Sequence, residues 1–235
     1  MKYFRERAQL GARSFYCQSG DDEEMQTEQP SLPRPTYRAK VGSQHVDLPL
    51  VQVADDLSIA LLICVDHGLG FSTKAGSELA ELLRPYEVEV IASVATMGIP
   101  LAIEVTRALG LDDYAILHKT PKIHLADAVA EPVRSITTAT DQRLLFDRAR
   151  IEALSGKRVG IVDDVISTGA SSRAALSLVR RVGGEPVVFG ALLTEGSGWR
   201  EVLGADAAMV RALGAIPIFR HRADGTLTEE WGQEE

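Results

Sequence analysis

Residues 158–173 read Arg-Val-Gly-Ile-Val-Asp-Asp-Val-Ile-Ser-Thr-Gly-Ala-Ser-Ser-Arg, and no other stretch constrains the fold so tightly. Residues 159–162 form a short apolar run rich in β-branched side chains, which reads as a buried strand. Two adjacent carboxylates, Asp163 and Asp164, follow it. A loop of small residues comes next (Ser167, Thr168, Gly169, Ala170 and Ser171), and then Ala174, Leu176 and Val179 at helical spacing. A strand–loop–helix corner offers free backbone N–H groups and the positive end of a helix dipole, which suits a phosphate. Small side chains let the phosphate approach the backbone, and the hydroxyls of Ser167, Thr168 and Ser171 can donate to it. The two acids fall about where sugar hydroxyls would lie if that phosphate belonged to a sugar phosphate. Taken singly, the acids could just as well turn the chain while a Ser or Thr caps the helix. The assembled string favours the phosphate.

The rest of the chain repeats the strand–helix alternation. Residues 46–53, 59–65, 88–94, 114–117, 158–162 and 187–193 read as strands, the first two as a possible hairpin. Residues 71–83, 98–109 and 170–182 read as helices, the last stopped by Gly183 and Gly184. Such alternation predicts an α/β fold with a doubly wound, mostly parallel sheet. Ligands of such sheets sit beyond the carboxyl ends of the strands. Residues 1–36, acidic over 20–24 and rich in proline over 29–35, are expected to be a disordered or loosely docked extension. Residues 37–235 would then form the functional domain.

At 235 residues and 45% hydrophobic, the chain can support one large α/β domain with an appendage. The formal charge of -8 argues against nucleic acid as a partner, because phosphate backbones require a basic footprint. No apolar stretch approaches a membrane span, and the charged N-terminus has no signal-peptide pattern. The two cysteines, Cys17 and Cys64, are in no metal-type spacing, so a reducing cytoplasm is the expected compartment.

Residues 162–171 resemble the phosphoribosyl-pyrophosphate (PRPP) loop of the type I phosphoribosyltransferases: an apolar strand, two acids, two apolar residues, then Ser/Ala-Thr-Gly-Gly-Thr/Ser. Ala170 stands where the family usually has Gly, a change that is tolerated if φ there is not positive. The resemblance extends over about residues 40–220. It implies a nucleobase-dependent enzyme, a pentosyltransferase, with a small hood built from N-terminal and C-terminal segments. It also implies a second loop for pyrophosphate, and residues 91–102 fit: a strand, the small-residue loop Ala95, Thr96, Met97 and Gly98, and a helix with Pro100 in its first turn. Adenine-specific members usually carry an Arg in this loop, where Thr96 and Met97 stand here. Without the resemblance, this would equally be an ordinary strand–turn–helix corner.

His118-Lys119-Thr120-Pro121-Lys122-Ile123-His124 resembles the segment that opens the family's flexible catalytic loop, with His118 in place of the usual Arg. The spacing of Lys119, Lys122 and His124 matches the orotate branch, in which this loop can reach a neighbouring subunit. Two lysines there could neutralise a highly charged anion; as isolated residues they would read as a solvated loop. The weak periodicity of residues 125–141 agrees with a lid over a water-sensitive reaction.

The resemblance implies displacement of pyrophosphate from C1 of PRPP by a nucleobase nitrogen. Asp163 and Asp164 would act at the ribose hydroxyls and near a Mg²⁺ held mainly by substrate oxygens. Residues 167–171 would take the 5′-phosphate, and Thr96, Met97, Gly98 and Lys119 the pyrophosphate. Base recognition falls to the hood, with Glu195, Trp199 and Tyr37 as candidates and Phe71 a weaker one. Trp199 either stacks on the base or packs the hood. A purine of the adenine kind is the leading acceptor, orotate an alternative, and a non-catalytic PRPP-binding regulator a third reading. A homodimer is the assembly the resemblance implies.

Overall fold

The computed structural model describes residues 35–125, 127–133 and 142–232. The expected extension over 1–36 lies, up to residue 34, outside the described residues.

Five strands build a parallel sheet: β4 (Val90–Val94), β5 (Tyr114–Leu117), β8 (Arg158–Ile166), β9 (Glu185–Glu195) and β10 (Val210–Ile216), in the order β10-β9-β8-β4-β5. All five residues of β4 are buried, and side chains alternate between two cores. Val90, Ala92 and Val94 pack with Ala174, Leu178 and Val179 of helix α3 (Ala170–Arg181). Ile91 packs on the other face with helices α1 (Gly68–Leu83) and α2 (Gly98–Leu109). A sheet covered on both faces needs the near-continuous apolar strands seen in the sequence.

A second sheet is wholly antiparallel and is fed from both ends of the domain. Strands β1 (Thr36–Val41), β2 (Gln44–Ala54) and β3 (Leu57–Ala60) come from the N-terminal side. Strands β11 (Ile218–His221) and β12 (Leu227–Glu230) come from the C-terminal side. The order β1-β2-β3-β11-β12 closes through β3 and β11, where Ser58 pairs with Phe219. This is the expected hood. It meets the parallel sheet closely at Gly214, where a Cβ would stand 2.2 Å from the carbonyl oxygen of Lys40, so only glycine fits.

Two elements cover the flanks. Strands β6 (Ala128–Pro132) and β7 (Arg143–Asp147) form an antiparallel pair. Ser177 and Arg181 of α3 donate to Glu131 at 2.9 and 3.1 Å. Residues 128–132 of the segment expected to be a lid are therefore strand, while residues 134–141 lie outside the described residues. A short helix, α4 (Gly198–Leu203), follows β9. No described helix is long and apolar enough to cross a membrane.

Two expectations are corrected. The strand expected to end at Val162 continues through both acids to Ile166, because Asp163 and Val165 pair with Ala191 and Leu193 of β9. The strand expected over 59–65 stops at Ala60, and Cys64–His67 forms a single 3₁₀ turn leading into α1.

Candidate functional site

The carboxyl ends of β4, β5 and β8 converge on one cavity of about 250 Å³. β8 supplies Asp163 and Asp164, and the loop beyond it supplies Ser167, Thr168 and Gly169. Ser171 and Ser172 in the first turn of α3 complete that wall. Gly169 caps α3 with φ +76°, a left-handed conformation that favours glycine, and its missing Cβ would lie 3.1 Å from the Trp199 carbonyl oxygen. Ala170 is the first helical residue and has no positive φ, so the departure from Gly at this position costs no backbone strain. Ala170 lines a neighbouring cleft rather than this cavity.

Opposite this wall stand Ala95, Thr96 and Met97 from the loop after β4, and Lys119 from the end of β5. The Ala95–Thr96 peptide is cis. The Ala95 amide donates to Leu117 O at 2.9 Å, tying the loop to β5. Gly98 does not line the cavity. It backs onto Asp163, and a Cβ there would come within 3.0 Å of Oδ1. Lys122 is exposed and lies outside the cavity lining. His124 belongs to the turn Ile123–Leu125, and its side chain lies outside the described residues.

The acids differ in environment. Asp163 is buried at 8% exposure and accepts from the Asp164 amide at 3.1 Å. Burial, then the Asp164 charge, push its carboxyl well above the usual carboxylate range, and Lys119 opposes the shift. A cation entering the cavity would relieve that cost. Among the described residues no three His, Cys, Asp or Glu side chains cluster to cage a metal. The pair Asp163 and Asp164 fits a hard cation that draws most of its ligands from elsewhere.

A larger cleft, about 600 Å³, shares Ser167 and Thr168 with the first. Glu195 lines it. At 5% exposure its carboxyl is pushed up by burial, partly offset by a hydrogen bond donated from Ser167 Oγ. Neither aromatic candidate reaches it. Trp199 is 3% exposed in the α3 core, donates its indole N–H to Gly196 O at 3.2 Å, and carries the Arg200 guanidinium 4.5 Å from its ring centre. Trp199 therefore packs the domain. Tyr37 packs edge-on against Phe219, with ring centres 5.3 Å apart, and Phe71 is buried beside His67. Sequence reasoning missed Ser172 and Val165 in the first cavity, and Leu57, Ile59, Ile218, Glu201 and Glu230 in the second. The helical start at Ala170 could have flagged Ser172; nothing local flags the hood residues.

Known proteins resemble this chain in sequence and in fold. An orotate phosphoribosyltransferase from Caldanaerobacter subterraneus subsp. tengcongensis is 30% identical over 121 residues, 52% of this chain and 52% of that protein. An adenine phosphoribosyltransferase from Thermobifida fusca is 33% identical over 123 residues, 50% of this chain and 64% of that protein. The match thus spans only half to two thirds of these relatives. The solved adenine phosphoribosyltransferase from Rhodothermus marinus superposes with a TM-score of 0.57 at 22% identity, covering 77% of this chain and 94% of that one, which supports the fold. The phosphoribosyl transferase domain model matches residues 73–211, from α1 through the acids and the strand–helix corner at 167–171 to β10, and so the chain belongs to the phosphoribosyltransferase family.

Proposed function

We propose that the protein joins a nucleobase to the ribose 5-phosphate of PRPP with release of pyrophosphate, and that the base is a purine of the adenine kind. One observation carries this reading: twin acids, a helix-capped phosphate corner, a second amide-bearing loop and Lys119 all line one cavity. In this reading the amides and hydroxyls of residues 167–172 hold the 5′-phosphate. Asp163 and Asp164 accept from the ribose hydroxyls. Thr96, Met97 and Lys119 hold the pyrophosphate, while Lys122 and His124 belong to the lid.

The bond from C1 to the pyrophosphate oxygen breaks as the bond from C1 to the base nitrogen forms, and the base gives up a proton to solvent. Positioning and charge neutralisation carry such a step. Mg²⁺, when bound beside Asp163 or Asp164, supplies positive charge to the departing pyrophosphate. Lys119 supplies a fixed charge on the same side. The same reading makes the enzyme a cytoplasmic homodimer with residues 37–235 as its transferase unit and 1–36 as an extension.

Orotate is the second reading, favoured by the spacing of Lys119, Lys122 and His124. Incubating the purified protein with PRPP, Mg²⁺ and a panel of bases, and measuring pyrophosphate, tests both. Release with adenine supports the first, and release only with orotate the second. PRPP binding without release for any base would replace both with a regulator.

A further inference from the structure

The larger cleft has two unlike walls. Val53, Leu57, Ile59 and Ile218 make one side apolar, and the ionisable side chains on its lining are all acidic: Glu195, Glu201 and Glu230. No described Lys or Arg lines it. Glu230 is held by Arg220 Nε at 3.0 Å, and Glu201 is exposed. Glu195 is different: it is buried, ends β9, and touches the phosphate corner through the Ser167 hydroxyl.

We infer that Glu195 is the specificity-determining residue of an acceptor site in this cleft, selecting a base whose cleft-facing edge carries N–H donors and no negative charge. The inference rests on the phosphoribosyl-transfer reading above. The apolar wall suits the face of a planar heterocycle. An ionised carboxylate only accepts hydrogen bonds, so it rewards an N–H edge and repels an acidic one. Ser167 adds a link between the two cavities. Its hydroxyl has one proton, now given to Glu195. A phosphate that takes that proton leaves Glu195 buried without its donor, which is costly unless an acceptor N–H replaces it. Sites built to be satisfied in this way discriminate strongly against ligands that lack the matching group.

Calorimetric titration of the full chain with ribose 5-phosphate, AMP and orotidine 5′-monophosphate tests the inference without turnover. The wild type should prefer AMP to the orotidine nucleotide by at least about tenfold, and Glu195→Gln should narrow that ratio by about tenfold. Because both nucleotides carry the same phosphate, the ratio cancels any general effect on the corner. An unchanged ratio in Glu195→Gln, or a wild type that binds the orotidine nucleotide as tightly as AMP, overturns the inference while ribose 5-phosphate binding keeps the transferase reading. A wild type that does not bind ribose 5-phosphate overturns both.

Discussion

Gly98 and Asp163 approach so closely that position 98 has no room for a side chain: a Cβ there would stand 3.0 Å from Asp163 Oδ1 and 2.2 Å from Ser93 Oγ. Ser93 is fixed in turn, donating to Val162 O at 2.7 Å. The start of α2 and the middle of β8 are thus fitted against each other. Gly98→Ala should destabilise the protein by about 1–3 kcal/mol through overpacking and weaken ribose 5-phosphate binding. Urea unfolding and calorimetry check the two effects, and an unperturbed variant would refute the close fit.

Replacing both acids, Asp163→Asn with Asp164→Asn, should abolish pyrophosphate release while circular dichroism stays native. Lys119→Ala should lower kcat/KM for PRPP by roughly 10- to 1000-fold, as expected for loss of a charge that stabilises a departing anion. Retained turnover in the double variant would remove the acids from the reaction.

Neighbouring positions of the corner should respond unequally to exchanges between glycine and alanine. Gly169→Ala forces a left-handed φ on alanine and a contact with the Trp199 backbone, and should cost at least about 1–2 kcal/mol. Ala170→Gly changes a helical residue and should cost only about 0.5–1 kcal/mol, with PRPP affinity nearly intact. Thermal or urea unfolding of the pair measures the contrast.

Burial raises the Glu195 carboxyl, with Ser167 only partly offsetting it. A carboxyl with a raised folded value holds its proton more tightly in the folded state. Its contribution therefore favours folding at low pH and is lost as pH climbs through the raised value. Wild-type stability minus that of Glu195→Gln should fall as pH rises from about 4, the unfolded glutamate range, and then level off. A difference that grows with pH contradicts this.

Trp199 is a packing residue. Trp199→Ala should cost about 3–5 kcal/mol, whereas Trp199→Phe should leave the ratio of activities on different bases unchanged. A changed base preference in Trp199→Phe would return the ring to the acceptor site.

The parallel core was legible in the sequence because residues buried on both faces leave near-continuous apolar runs such as 90–94, and because Gly183 and Gly184 mark the end of α3. The strand–helix corner at 163–171 was legible for a related reason: its small residues, hydroxyls and acids are contiguous. The extension of β8 through Asp163 and Asp164 was not, since aspartate is a poor strand former. There, pairing with Ala191 and Leu193 overrides local preference. The fate of Trp199 was also hidden, because a sequence does not say whether an aromatic beside glycines faces a cleft or a core. The larger cleft was the least visible part. Its hood strands are short, and Ile218 and Ile59 become neighbours only through a pairing between distant segments.

That long-range pairing has a bearing on how the protein matures. The bond between Ser58 Oγ and His221 Nε2 joins residues 163 positions apart, so β3 must wait for the far end of the domain before the hood sheet can seal. Closing so large a loop carries an entropic penalty and tends to slow folding. The residues that line the smaller cavity, by contrast, all lie between Val94 and Ser172. During synthesis, every residue that lines the smaller cavity emerges before β11, while the larger cleft still lacks Ile218 and Glu230.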